Sequence, residues 1–140
     1  MQLKNSLILY AFMLLAFFCI DMVWLGLVAK NFYRRHLGFL LAETVNWPAA
    51  ILFYLLFIAG LLVFAVRPAL IAGSAFQALA LGAFLGLLCY ATYDLTNLAT
   101  IRHWPLIVTI IDMIWGSLLG ASVSWLGWFF GRNILKTVFN

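Results

Sequence analysis

The sequence predicts an all-α membrane protein: a compact bundle of four transmembrane helices in one domain spanning residues 1–140. Three observations predict it. The chain is 67% hydrophobic and only 9% charged, whereas soluble domains run at about half apolar and a quarter charged. It contains four apolar runs long enough to cross a bilayer, which takes about 20 residues as a helix. Prolines fall at the starts of those runs or between them, and most charges fall outside them. A water-soluble fold of this size leaves too much of its surface exposed to hide so many apolar side chains. A bilayer solvates that surface instead.

The first run covers residues 6–29. Its opening could pass for a signal peptide after Lys4, but no small-x-small cleavage site follows and the run continues past Asp21, as a first span does. The second run covers 48–66, with Asn46 placed to cap the helix and Pro48 in its first turn. Arg67-Pro68 is expected to form a tight turn into a third span, 69–99. Pro105 opens the fourth, 105–131. No period-two alternation persists in these runs. A spanning backbone must satisfy its own hydrogen bonds, which also favours helices. Trp47 and Trp104 beside the helix starts suit the membrane interface. Cys19 and Cys89 read as buried, reduced thiols.

The connection 30–45 has two readings. Tyr33, Leu37, Leu40, Leu41 and Thr44 recur at helical spacing, as in an amphipathic helix lying on the membrane. Gly38 weakens that pattern and favours an irregular loop. Orientation is not encoded in charge. Lys4, Arg67, Arg132 and Lys136 fall on the side of the termini, side A, against Lys30, Arg34, Arg35 and Arg102 on side B. The positive-inside rule therefore chooses neither. The net charge of +4 does not indicate nucleic acid, because no basic groove with interleaved aromatics accompanies it. The expected partners are the lipid bilayer and further copies of the chain, as a homodimer or higher homo-oligomer.

The order Asp21, Arg35-His36, Trp47-Pro48 echoes Asp94, Arg102-His103, Trp104-Pro105. A parallel two-helix repeat would produce this, and so would the ordinary enrichment of such residues at membrane boundaries. A second echo, Asp21-Met22-Val23-Trp24 against Asp112-Met113-Ile114-Trp115, links helices that run in opposite directions and fits no simple duplication.

Three of the four acidic residues, Asp21, Asp94 and Asp112, lie inside spans. An ionised carboxylate at mid-membrane costs roughly 2.5–3.5 kcal/mol on insertion scales, so three of them need a function or a partner. Counted from the helix ends, each lies on the order of 10 Å below the side B surface, with Tyr54 at a similar depth. Facing inward, they would line a polar chamber open toward side B. Three residues beyond each aspartate, on the same helix face, stand Trp24, Asn97 and Trp115 as candidate donors. Tyr90, Tyr93 and Thr96 add polar groups around Asp94. His36, His103, Arg35 and Arg102 would form the chamber rim. Ala78, Gly82, Gly86, Tyr90 and Asp94 form one small-residue ladder; Asp112, Gly116, Gly120 and Ser124 form another. Such ladders let helices approach closely, and each of these ends at an aspartate.

The runs Asp21-Met22-Val23-Trp24-Leu25-Gly26, Asn46-Trp47-Pro48-Ala49-Ala50, Tyr93-Asp94-Leu95-Thr96-Asn97-Leu98-Ala99-Thr100 and Asp112-Met113-Ile114-Trp115-Gly116 resemble those of a bacterial membrane-protein family known as domain of unknown function 2177. The resemblance covers nearly the whole chain. It implies a multi-pass protein of the bacterial inner membrane and brings no activity. Function therefore rests on the chamber. Intramembrane carboxylates favour a small transporter, channel or ligand-binding protein for a cation, a proton or a cationic solute. The alternatives are a lipid- or isoprenoid-directed enzyme holding a divalent cation on Asp21, Asp94 and Asp112, and a structural or assembly subunit of a membrane complex. Nucleophile and phosphate-loop motifs are absent.

Overall fold

In a computed structural model, which describes residues 3–136, all the regular structure is helical. The elements are α1 (Leu3–Val23), a π-helical stretch (Trp24–Ala29), α2 (Lys30–Leu37), α3 (Trp47–Leu61), a second π-helical stretch (Leu62–Val66), α4 (Arg67–Ala72), α5 (Ala75–Thr100) and α6 (Leu106–Asn133). Because the π-helical stretches join their neighbours without a break, these make four candidate spans: Leu3–Leu37, Trp47–Ala72, Ala75–Thr100 and Leu106–Asn133. Each is long and apolar enough to cross a bilayer.

Two expectations about the connections change. Arg67-Pro68 is no turn, for the second span runs through it to Ala72. Proline inside a helix lacks an N–H and clashes with the carbonyl four residues back. Here the wider π-helical stretch directly precedes Arg67 and relieves that clash. The reversal comes at Gly73, whose φ of 65° lies in the left-handed region. Its N–H donates to Leu70 O and that of Ser74 to Ala69 O, closing the helix in a Schellman pattern. Ser74 then caps α5, its Oγ accepting from Gln77 N at 3.1 Å.

The second change is in the 30–45 connection. Its helical part is not a separate helix on the membrane but an eight-residue extension of the first span, α2. Helical register stops at Gly38, where Leu40 and Leu41 both donate to Leu37 O in a turn. Residues 41–46 are irregular. The helix starts follow the sequence more closely. Asn46 Oδ1 accepts from Ala49 N at 3.3 Å, with Pro48 in the first turn of α3. Trp104, by contrast, is 8% exposed and no interfacial anchor. Its ring packs with Leu37 and Val108, and its Nε1–H donates to Thr109 Oγ1 at 3.1 Å. An indole suits such a site when its N–H finds an internal acceptor. Cys19 is exposed on the outer face of α1 rather than buried; Cys89 is half-buried.

The spans are apolar all round, as membrane helices are. Leu15, Leu27, Phe64 and Phe84 are among the side chains left on the outer surface for lipid. Inside, Leu9, Met13 and Phe17 of α1 meet Phe57, Ile58, Leu61 and Val66 of the second span, with Leu119 and Val123 of α6. Tyr10 donates its hydroxyl to Leu55 O at 2.9 Å, tying α1 to α3.

The closest packing is between α5 and α6. A Cβ added to Gly86 would stand 2.0 Å from Gly116 O, and one added to Gly120 would stand 2.2 Å from Gly82 O. Gly82 faces Ser124 in the same way, and Gly116 lies against the Tyr90 ring. Ser117 Oγ donates across the seam to Ala83 O at 3.2 Å. With no hydrophobic gain between helices in lipid, this contact supplies the attraction.

Gly86→Val should destabilise the bundle by about 1–3 kcal/mol, because the clashing atoms are backbone and cannot move aside. Gly26→Ala is the control. Nothing lies within 4 Å of its added Cβ, so it should be neutral or stabilising by up to about 1 kcal/mol. Thermal unfolding in detergent reads both, and equal transition temperatures for the two variants would refute the seam.

Candidate functional site

Each aspartate continues the buried stripe of its own helix toward side B. On α1 the stripe runs Leu9, Met13, Phe17, Asp21. On α5 it runs Ala78, Gly82, Gly86 and then Asp94, and on α6 it returns through Ser124, Gly120 and Gly116 to Asp112. The packing that holds the helices together therefore turns all three carboxylates inward, and none is more than 6% exposed. This is the cheap orientation for a carboxylate in a membrane span.

Asp21 and Asp112 open into one cavity of about 510 Å³ in the side B half. The first span contributes Trp24, Leu25 and Tyr33 to its wall; α3 contributes Ala50, Phe53 and Tyr54. Cys89, Tyr90 and Tyr93 of α5 and Trp115 of α6 complete it. The rings are ordered among themselves. Trp24 and Trp115 stack at 4.3 Å with an interplanar angle of 8°, and Phe17 meets Tyr54 at 5.0 Å.

Asp94 does not border this cavity. The glycine seam has a fixed register, each step of four along α5 matching a step of four back along α6, so the step after Tyr90–Gly116 brings Asp94 against Asp112. Asp94 is fully buried, and neither of its carboxylate oxygens has a hydrogen-bond partner. Its main-chain oxygen accepts from Thr109 Oγ1 at 3.5 Å.

The donors are arranged differently from the expected pairs along each helix. Trp115 lies beside Asp21 of the neighbouring helix, although its Nε1–H stops short of hydrogen-bond geometry. Asn97 lies beside Tyr93 and makes no bond to Asp94. Thr96 turns its hydroxyl back to Thr92 O, on the exposed side of α5. One carboxylate partner is a residue the helical spacing did not single out: the Tyr33 hydroxyl donates to Asp112 Oδ1. Only the tertiary course of the first span brings Tyr33 to α6. The π-helical stretch after Val23 carries the chain into α2, which packs through Leu37 onto Trp104 and Val108. Tyr33 thus becomes a wall of the cavity.

The four rim residues stand outside. His36 is half-buried, its Nδ1 2.9 Å from Phe32 O and its ring against Phe32. Arg35 is exposed on α2, while Arg102 and His103 are exposed in the turn between α5 and α6, His103 with φ 64°. None borders the cavity. Among the described residues, no three His, Cys, Asp or Glu side chains, Asp21, Asp94 and Asp112 included, gather closely enough to hold a metal ion.

Tyr33→Phe should loosen α2. The change removes the hydrogen bond from Tyr33 of α2 to Asp112 of α6 and leaves a buried carboxylate oxygen short of a donor, a cost of about 1–3 kcal/mol. Hydrogen exchange should accelerate across Lys30–Leu37 and stay unchanged in the middle of α5 and α6. Unchanged exchange in α2 would show that the contact does not hold it.

No curated protein and no solved structure matches the chain. The sequence pattern of the family described as "Predicted membrane protein (DUF2177)" matches residues 6–129. With most of its length matched, and four apolar helices packed as a bundle, the chain belongs to this family of membrane proteins.

Proposed function

We propose that the protein binds a cation in the side B cavity, as a small transporter, channel or ligand-binding protein of the bacterial inner membrane. The carrying observation is that two carboxylates from different spans, Asp21 and Asp112, open into one cavity that no lysine or arginine borders. Uncompensated carboxylates inside a bilayer are costly, and a bound cation offsets that cost for both. Asp94 stands behind Asp112 and adds negative potential without touching the solute. A four-helix chain is small for a complete pathway, and the reading includes self-association to a homo-oligomer.

The test uses purified protein with monovalent, divalent and alkylammonium cations as separate probes. The wild type should bind at least one of them by calorimetry. Asp21→Asn and Asp112→Asn keep the shape and remove the charge, and each should weaken that binding about tenfold or more, equivalent to about 1.4 kcal/mol. Liposomes containing the variants should lose any cation flux seen with the wild type. Unchanged binding and flux in both variants would sink the reading.

A further inference from the structure

The walls of the cavity carry a second kind of information, beyond the sign of the charge. Resting on the reading of this cavity as a cation site, we propose that its ligand is a small organic ammonium ion rather than an inorganic cation.

Size is the first reason. A cavity of about 510 Å³ falls within the roughly 300–1,000 Å³ of small-molecule sites. A bare Mg²⁺ or Ca²⁺ needs about six oxygens within roughly 2.0–2.6 Å. The cavity offers two carboxylates, one oxygen of which already accepts from Tyr33, and otherwise neutral phenol hydroxyls; no third acidic, histidine or cysteine side chain groups with them among the described residues.

The chemistry of the wall is the second reason. Seven of the twelve lining residues are aromatic, outnumbering the carboxylates. The stacked Trp24–Trp115 pair borders the cavity between the first span and α6, each indole three residues beyond one of the aspartates on the same wall. Tyr54 and Tyr90 border it from α3 and α5. Aromatic faces attract cations, and recognition of alkylated ammonium groups by aromatic cages depends on that attraction. An alkylated ammonium also sheds its hydration far more cheaply than a compact metal ion, which an aromatic wall cannot rehydrate.

Exclusion is the third reason. With no lysine or arginine on the wall, an anion would meet only like charge. A neutral solute would leave both carboxylates without a countercharge. An apolar body with a positive group meets the rings and offsets charge on the carboxylates together.

The experiment measures binding of choline and of its uncharged carbon isostere, 3,3-dimethyl-1-butanol, to the purified full chain in lipid nanodiscs. Na⁺ and Mg²⁺ are tested as competitors. Choline should bind about tenfold or more tightly than the isostere, and the two metal ions should not displace it beyond an ionic-strength effect. Trp24→Leu should weaken choline binding by about 2- to 30-fold, the range of one desolvated cation–π contact. Trp24→Phe should restore most of it, which a merely structural role for the indole would not predict. The wild-type comparison of choline with its isostere needs no variant to fold. Equal binding of the two, or no binding of choline, would overturn the inference. Saturation by Na⁺ or Mg²⁺ in the absence of choline binding would also overturn it, while leaving the cation reading intact. Loss of every cation would remove both.

Discussion

The close approach of α5 and α6 is the contact on which the rest of the bundle depends. Gly82, Gly86, Gly116 and Gly120 leave no room for a Cβ between the two backbones. In lipid, where burying apolar surface between helices gains little, van der Waals contact at this distance is what holds them. A glycine seam also fixes register, since any shift along the axis would drive a larger side chain into a backbone. The registered seam delivers Tyr90 to Gly116 and, one step further, Asp94 to Asp112. The first hairpin joins this pair differently, through large side chains, with Leu9, Met13 and Phe17 of α1 and Phe57, Ile58 and Leu61 of α3 packed with Leu119 and Val123 of α6.

Polar and apolar parts of the interior follow one another along the same faces. Toward side A, α1 closes against the rest with Leu9 near Leu70 and Gly131, and Met13 near Gly127. Toward side B the same stripe reaches Asp21, and the helices leave a cavity instead of a core. The difference lies in what stands at the seam. Small residues draw α5 and α6 together, whereas Trp24, Tyr54, Tyr90 and Trp115 are bulky, and their rings stand around a space they do not fill. Carboxylates, indoles and phenols in one half of a membrane bundle make a site able to hold both a charge and an apolar body.

The roof of that site depends on a backbone irregularity. Six residues of π-helix follow Val23, and past them α2 packs through Leu37 on the side B ends of α5 and α6. Its Tyr33 hydroxyl takes one oxygen of Asp112. π-helical segments are uncommon and recur at functional sites. The second one relieves Pro68, letting the span continue to Gly73 so that Ala69 and Leu70 remain buried.

The sequence by itself determined the solvent, the number of spans and the inward aspartates, because each depends on composition and helical period alone. Apolar runs of spanning length admit little but helices in lipid. Asn46 and Pro48 act locally, so the start of α3 was legible; so were the two small-residue ladders, whose steps of four place Gly82 and Gly86 on one face. Where the second span ends was not, since Arg67-Pro68 reads as a break unless the preceding turn widens, and that widening has no signature in residue type. Tertiary structure alone decided which donor meets which carboxylate. Neighbours on one helix face, Asp94 and Asn97 or Asp112 and Trp115, share a direction, but the partner of a buried group is whatever side chain the facing helix brings within bonding distance. Trp115 beside Asp21, Tyr33 on Asp112 and Asp94 walled off behind Asp112 are consequences of how four helices cross. A single chain's periodicity carries no record of those crossings.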